Sequence, residues 1–466
     1  MPNTLLETYA KRLAVSESYY SRANRGAKMD ATRKFTTAAL LDNVNDYMSK
    51  KLKESFSNSV GTQRADLGAF KKFCMNLTTV VMPNLIAHDL VLVQPLPSIV
   101  GYVSYLKFTY GSNKGGIKQG DVIADPFHIE SRTEDNSNYT SQAVVEEVEL
   151  DGEGKATLAW HPIFKAEGKG LAEKDDRIPT VVGVEGATVE VIDADAGIIK
   201  VTGATGKCKI RYMYNNVIIP QNDLPIINAE MEGITVHAKP RRIAIYYSAI
   251  AAFQAEKDYG FNLQDQLQEK AISELNYEID EEVVRFLVKL AETNSDAEAT
   301  LKTLTFDATI PVGVSMRDHY EGFNATIEKA KVAIFQRTQR LYPTYLLVSP
   351  TVLPILSMIT SFKATSTAGV AGPFLAGTLN GLKVFVSPAV TEGKFIVGVN
   401  NGTLAASAAL YAPYLPVMPS QLLGYSDGSM SQGFVRMDAI EALNPQLVVE
   451  GQVTNNDYVV NVKTVA

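Results

Sequence analysis

Cysteine is nearly missing from this chain. Cys74 and Cys208 are the only two in 466 residues, they lie far apart, and neither belongs to a CxxC pair. That excludes a disulfide framework and zinc held by thiolates, and both residues read as small apolar packing groups. Histidine is almost as sparse. The five, His88, His128, His161, His237 and His319, never fall at metal-ligand spacing, and HExxH is absent. GxSxG and the dinucleotide-type GxGxxG are absent as well. The expectation is a chain with no catalytic residues, no metal and no cofactor, and hence no enzyme. No run of about eighteen uncharged apolar residues occurs, which excludes a helical membrane span. The start, Met1-Pro2-Asn3-Thr4-Leu5-Leu6-Glu7, lacks the basic, apolar and small-residue order of a secretion signal, so synthesis in a cytoplasm is expected.

What is present is ordinary globular material in more than one module. Hydrophobic residues make up 46% and charged residues 20%, enough for a sizeable core, and 466 residues exceed what one core usually serves. Net charge is −7, so the whole chain is no basic nucleic-acid binder. The charge is uneven, however. Residues 1–60 hold ten Lys and Arg against six acids, a net +4 that leaves −11 for the rest. A basic arm on an acidic body suits either a solvated helical extension or an arm lying on a neighbour's acidic surface or near nucleic acid.

Periodicity divides the remainder. Residues 4–60 read as broken helix, with Leu40, Leu41, Val44, Tyr47, Met48, Leu52 and Phe56 in one stripe and Asp30 at its start. Short helices of this kind are marginal alone and call for a partner surface. Tyr102 to Tyr110 is strongly β-prone, and Gly111 to Gly116 reads as a mobile loop, since it lacks the GxxxxGK[ST] spacing of a phosphate cradle. Residues 142–216 read as a separate all-β module, a small antiparallel sandwich or barrel. Cys208, Ile210, Tyr212 and Tyr214 share one face, glycine turns fall at 152–154, 168–170 and 203–206, and Trp160 belongs to the core. The strands on either side of the module are expected to pair, which makes it an insertion in a long hairpin.

The clearest helix covers about 260–292. Leu263, Leu267, Ala271, Leu275, Ile279, Val283 and Leu287 recur at four-residue steps, with Asn262 as N-cap. About nine turns is three times the usual length and suits a stiff spine. Its acids Glu278, Asp280, Glu281 and Glu282 read as a solvated face, because neighbouring helical positions point apart. His88 and Asp89 are adjacent and, placed on a strand, point to opposite faces. Further on, a helix at 323–341, a strand at Tyr345 to Val348, a short helix at Val352 to Met358, and strands at Leu382 to Val386 and Phe395 to Val399 form an α/β region. The Ala, Gly, Thr and Ser-rich 362–381 reads as loop.

Several stretches together resemble the major head proteins of T-even-type tailed phages. The strongest is Met82-Pro83-Asn84-Leu85-Ile86-Ala87-His88-Asp89-Leu90-Val91 with Val93-Gln94-Pro95-Leu96. Others are Pro240-Arg241-Arg242 through Ala252, Ala255-Asp258-Tyr259-Gly260 with Asn276-Glu278-Ile279, and Thr37-Ala38-Ala39-Leu40-Leu41-Asp42-Asn43. Gly381-Leu382-Lys383-Val384-Phe385-Val386 and Ala409-Leu410-Tyr411-Ala412-Pro413-Tyr414 complete the set. The resemblance spans most of the chain except 112–216. It implies an α+β HK97-type capsid fold, with a long spine helix in a peripheral domain, an axial domain, an extended β-hairpin loop, an N-terminal helical arm and an inserted all-β domain. The divisions it implies are an arm at 1–76 and a peripheral domain with the first half of the extended loop at 77–141. The inserted domain follows at 142–216, and the second half of the loop with the spine at 217–310. The axial domain takes 311–425, and 426–466 holds returning peripheral strands.

The implied role is a shell subunit that self-assembles as hexamers and pentamers around a double-stranded DNA genome. It would be assembled in the host cytoplasm and located in the virion. Portal, scaffolding and decoration proteins would be its partners, packaged DNA would lie nearby without sequence-specific contact, and no membrane would be involved. Relatives lose an N-terminal segment after a Leu/Ile-x-Glu motif. Leu5-Leu6-Glu7 and Leu52-Lys53-Glu54 match that short pattern, and the presence of Met1 argues for an uncut chain. Two other readings compete. An encapsulin-like compartment would share the fold but enclose enzyme cargo. A tail or surface adhesion protein would use the β module to bind carbohydrate, and there the long spine would be out of place.

Overall fold

The computed structural model describes residues 2–23, 27–55, 74–76, 78–79, 82–124, 139–164, 178–184, 186–215, 225–260, 262–297, 304–365, 372–420 and 423–455. They fall into two units, one of residues 1–104 with 233–466 and one of residues 105–232. The chain is α+β.

Two sheets organise the first unit. The larger has seven strands in the order Thr305–Asp307, Val448–Thr454, Lys394–Gly398, Tyr345–Val348, Leu382–Val386, Phe374–Leu379 and Phe362–Ala364. Tyr345–Val348 at its centre is buried on both faces, as an unbroken apolar run requires. The second sheet runs Leu92–Val93, Ala409–Pro419, Ser429–Ala442 and Lys239–Ser248, with Leu423–Gly424 beside Ser429–Ala442. Strand pairing therefore cuts across position 425. Ala409–Pro419 joins the strand after that point, whereas Val448–Thr454 joins the seven-stranded sheet.

The expected spine is a single helix, Leu263–Ala297, of 35 residues. The Asn262 carboxamide accepts from Gln264 N at 3.0 Å, as an N-cap does. A separate helix, Ala249–Tyr259, precedes it and stops at Gly260, whose φ of 71° suits a residue without Cβ. Ala271 and Leu275 pack with Ile245, Tyr247, Val417 and Phe434 of the smaller sheet. Ile279, Val283, Leu287 and Ala291 enter the main core beside the larger one. One stripe thus ties the two sheets together, and each fully buried Ile or Leu contributes roughly 1.5–3 kcal/mol.

Helices Pro2–Thr8, Ala10–Ala23 and Ala31–Ser55 make up the arm. Instead of requiring a neighbour, they pack on their own unit. Tyr9, Leu13, Leu41, Val44 and Met48 share a core with Cys74, Met75 and Met418. Asn43 donates to the carbonyls of Leu96 and Tyr414 at 2.8 and 2.9 Å.

Loop was expected across 362–381, yet two strands lie there, Phe362–Ala364 and Phe374–Leu379. Gly377 explains the misreading. A Cβ there would strike the Lys363 carbonyl oxygen, so the glycine marks a close strand approach rather than a flexible segment.

In the second unit, the described residues between 143 and 213 form two three-stranded antiparallel sheets. Their orders are Ala143–Glu149, Lys207–Met213, Thr180–Val182 and Lys155–Thr157, Ile198–Thr202, Thr188–Asp193. Val144, Ile199, Val201, Ile210, Tyr212 and Tyr214 fill the space between them, and the Trp160 ring lies 5.2 Å from that of Tyr214. The glycine turn expected at 168–170 lies outside the described residues. Gly111 to Gly116 is an anchored turn, not a mobile loop. Lys114 is 3% exposed, its Nζ donates to the Tyr139 carbonyl at 2.8 Å, and its backbone bridges to Ile117. Burial brings its ammonium down to about 8.

Flanking the module, Val100–Tyr110 pairs with Ile227–His237. Ala238 N donates to Ile99 O at 2.8 Å at one end and Gly111 N to Ile226 O at 2.7 Å at the other. The hairpin expected from sequence is thus present, but Lys239–Ser248 belongs to the smaller sheet of the first unit, not to the hairpin.

Candidate functional site: a buried charge joint and exposed apolar faces

Beneath the spine helix lies a joint of charged groups from five segments. Arg436, fully buried, donates to Asn276 Oδ1 at 3.3 Å and to the Tyr411 hydroxyl, and sits 3.3 Å from Asp438 Oδ2. The Tyr411 hydroxyl passes its own hydrogen to Asp438 at 3.0 Å. Arg241 reaches the other Asp438 oxygen at 3.0 Å and also meets Glu282. Two guanidinium groups therefore face Asp438, Glu282 and a third carboxylate, Asp280. That third group accepts from Ile86 N at 3.2 Å and caps the short helix Ala87–Leu90. Burial pushes its carboxyl up to about 7, against the pull of the Ala87 and Ile86 amides and of Arg436. The solvated-face reading of the acidic run therefore fails for Asp280, whereas Glu282 meets Arg241 with its side chain still 46% exposed. Buried ion pairs of this kind fix geometry more surely than they add stability.

A second cluster holds the arm. His88 and Asp89 lie on that short helix rather than on a strand. Asp89 accepts from Arg33 at 2.5 Å and from Lys383 at 2.8 Å, and Arg33 also donates to Pro83 O at 2.6 Å. Burial pushes the Asp89 carboxyl up, but Arg33 and Lys383 outweigh it and hold the group below the usual carboxylate range. His88, buried beside Arg33, is lowered to about 3 and stays neutral. Neither residue is arranged for acid–base work. Cys74 and Cys208 are both buried free thiols, and burial raises Cys74 to about 12, so it is not a thiolate at neutral pH. Among the described residues, no group of three or more His, Cys, Asp and Glu is placed to hold a metal ion, and no helix is long and apolar enough to cross a membrane.

What this chain does offer is surface. In the hairpin, alternate residues of Val100–Tyr110 turn outward. In the first unit Val100 and Tyr102 are 51% and 64% exposed. In the second, Leu106 and Phe108 are exposed on the same face of the strand, and Met231, across the ladder from Leu106, is 75% exposed. The opposite face is polar, with Glu232 accepting from Tyr105 and Lys107 at 3.1 Å each. Tyr102 covers Gly233, where any Cβ would strike the ring. Sequence reading identified the strand but not this face, because the 102–110 alternation does not say which side is covered.

The family described as Major capsid protein Gp23 matches residues 67–461. The major capsid protein of Vibrio phage KVP40 is 22% identical over 378 residues, covering 74% of this chain and 70% of that protein. The major capsid protein of Enterobacteria phage T6 is 22% identical over 374 residues, covering 74% and 72%. Among solved structures, the capsid of Myoviridae Phage XM1 aligns at 14% identity and a TM-score of 0.34, covering 50% of this chain and 80% of that one. The holo-SrpI encapsulin complex of Synechococcus elongatus aligns at 11% identity and a TM-score of 0.31, covering 50% and 79%.

Proposed function

We infer the chain's assembly from one premise: it belongs to the Major capsid protein Gp23 family and is a subunit of a tailed-phage head shell, located in the virion. The subunits associate into hexamers and pentamers that close an icosahedral shell around the genome, and the chain carries no catalytic activity of its own.

The outward apolar face of the hairpin carries this reading. A lone soluble protein rarely leaves large apolar side chains aligned in water, and Leu106, Phe108 and Met231 stand exposed together in the second unit. Repeating contacts of modest area suit closed symmetric assemblies, where each interface recurs many times. The spine with the smaller sheet then forms the peripheral domain. The seven-stranded sheet with its helices forms the axial domain, with Val448–Thr454 included. Residues 143–213 are a domain inserted in the extended loop. Portal, scaffolding and decoration proteins are the expected partners, and packaged DNA the expected neighbour of the shell's inner surface. An encapsulin-like compartment is the weaker alternative, because the family match is to phage head proteins.

Leu106→Asp and Met231→Asp test the reading. Each should leave the subunit folded by circular dichroism while abolishing particles in electron micrographs. Normal particles from both variants would overturn the assigned face.

A further inference from the structure

The smaller sheet ends unevenly. At one side its last strand is Leu92–Val93, two residues long, and the seven-stranded sheet ends in three-residue strands on both sides. At the other side the smaller sheet ends in Lys239–Ser248, ten residues long, which pairs with Ser429–Ala442 on one edge only among the described residues. The last six, Ile243 to Ser248, carry no charge and are rich in Ile and Tyr. The charges and the proline are confined to its first four residues, Lys239 to Arg242, and the uncharged remainder of an open edge is a template for another strand.

We propose that the free edge of Lys239–Ser248 pairs antiparallel with the same edge of a second copy of this chain, about a two-fold axis through Ala244. The inference rests on the shell reading only in that it supplies neighbouring copies.

Charge and size favour this occupant and this register. Side chains at 242, 244 and 246 point to the exposed face, while Ile245 and Tyr247 face the spine helix. Arg242 has no ion pair among the described residues, unlike Arg241, which is held by Asp438 and Glu282. At the other end of the strand, Tyr246 is 63% exposed, its ring lies 6.4 Å from that of Tyr425, and its hydroxyl reaches Asp427 at 3.4 Å. That end is therefore an aromatic face beside a carboxylate, a receiver for a guanidinium. Antiparallel pairing centred on Ala244 sets Arg242 of each copy against Tyr246 of the other, twice over. Centred on 242, two arginines would oppose each other, which is unfavourable. Centred on 246, Arg242 would have no strand residue opposite it. Ala244 is also the smallest side chain on this face, so it fits where two copies meet their own image. A two-fold contact of this kind is closed and self-complementary.

Directly opposed residues of antiparallel strands lie about 4.5–5.5 Å apart at Cα, within disulfide reach. The test is oxidative cross-linking of the full chain carrying Ala244→Cys, with the buried Cys74 and Cys208 as a silent background. The expected result is that most of the protein runs as a dimer on non-reducing gels. Arg242→Cys and Tyr246→Cys should each fail to cross-link alone and should cross-link when the two are mixed. Intact particles without the 244 cross-link would overturn the pairing and leave the shell reading standing. Dimers without particles would support the pairing and count against the shell. Neither particles nor dimers would overturn both. A cross-link formed instead between Met231→Cys and Ala244→Cys subunits would place a different strand on the edge and overturn the two-fold.

Discussion

Asp280 makes the stability of the subunit depend on pH in a direction opposite to that of most carboxylates. Its carboxyl moves from the ordinary 3.8 to about 7 on folding. At about 1.4 kcal/mol per pH unit, that difference corresponds to roughly 4 kcal/mol. Because the residue also borders an open groove with Glu269, Asn276 and Tyr277, water relieves part of the cost, and about 2–4 kcal/mol is the expected range. Between pH 4 and 7 the folded chain keeps a proton that the unfolded chain has released. Stability attributable to this group therefore falls as pH rises through that window and levels off above it. Asp280→Asn removes the titration while keeping an oxygen for the Ile86 amide. It leaves the second amide, that of Ala87, less well served, at a cost of about 1 kcal/mol that does not vary with pH. The assay is urea unfolding of the unassembled subunit at pH 5 and pH 8, wild type against Asp280→Asn. The wild type should lose about 0.6–2.3 kcal/mol more than the variant over that interval. Equal pH dependence in the two proteins would refute the account of the joint.

Other perturbations follow from the packing. Ile279, fully buried in the main core, should lose about 2–5 kcal/mol as Ile279→Ala and about 0.5–1.5 as Ile279→Val, read by urea unfolding; no change in either would contradict the spine's place in the core. Asp89→Ala strands the buried Arg33 guanidinium and should cost about 3–5 kcal/mol, seen as faster amide exchange over 31–55. Lys383→Ala, which removes the more exposed partner, should cost under about 1 kcal/mol. Excising residues 143–213 should leave the melting of the first unit unchanged in calorimetry, since the two cores are separate; loss of all cooperative melting would show that the module is not an independent insertion.

Much of this fold was legible because it is local. Four-residue apolar steps from Leu263 to Leu287 report a helix whatever lies around it, and the alternation from Cys208 to Tyr214 reports a half-buried strand. The hairpin was half legible: its first strand stood out, and the β-prone stretch near 234–248 marked the return, but that stretch holds the end of Ile227–His237, which is mostly exposed and lacks the buried alternation that marks a strand, together with Lys239–Ser248 of another sheet. The buried joint was not legible at all. Asp280 and Arg436 look like ordinary surface residues in sequence and are 156 positions apart, so only the crossing of helix and sheet brings them together. Lys114 misled in the same way, since the carbonyl oxygens that bury it belong to residues 139 and 141. The arm was misplaced because its stripe shows that a partner surface exists without saying whose. The surface proves to be the strand Ala409–Pro419 of the same chain together with Cys74, Met75 and the Leu96 carbonyl. The role itself was reached through family resemblance and not through any constellation of reactive residues read from the sequence.

Electron cryomicroscopy of the purified full chain at high concentration tests the central claim most directly. The account predicts closed particles whose walls resolve into six-fold and five-fold clusters of this subunit. A sample that stays monomeric under those conditions, with every particle image showing a single chain, would contradict it.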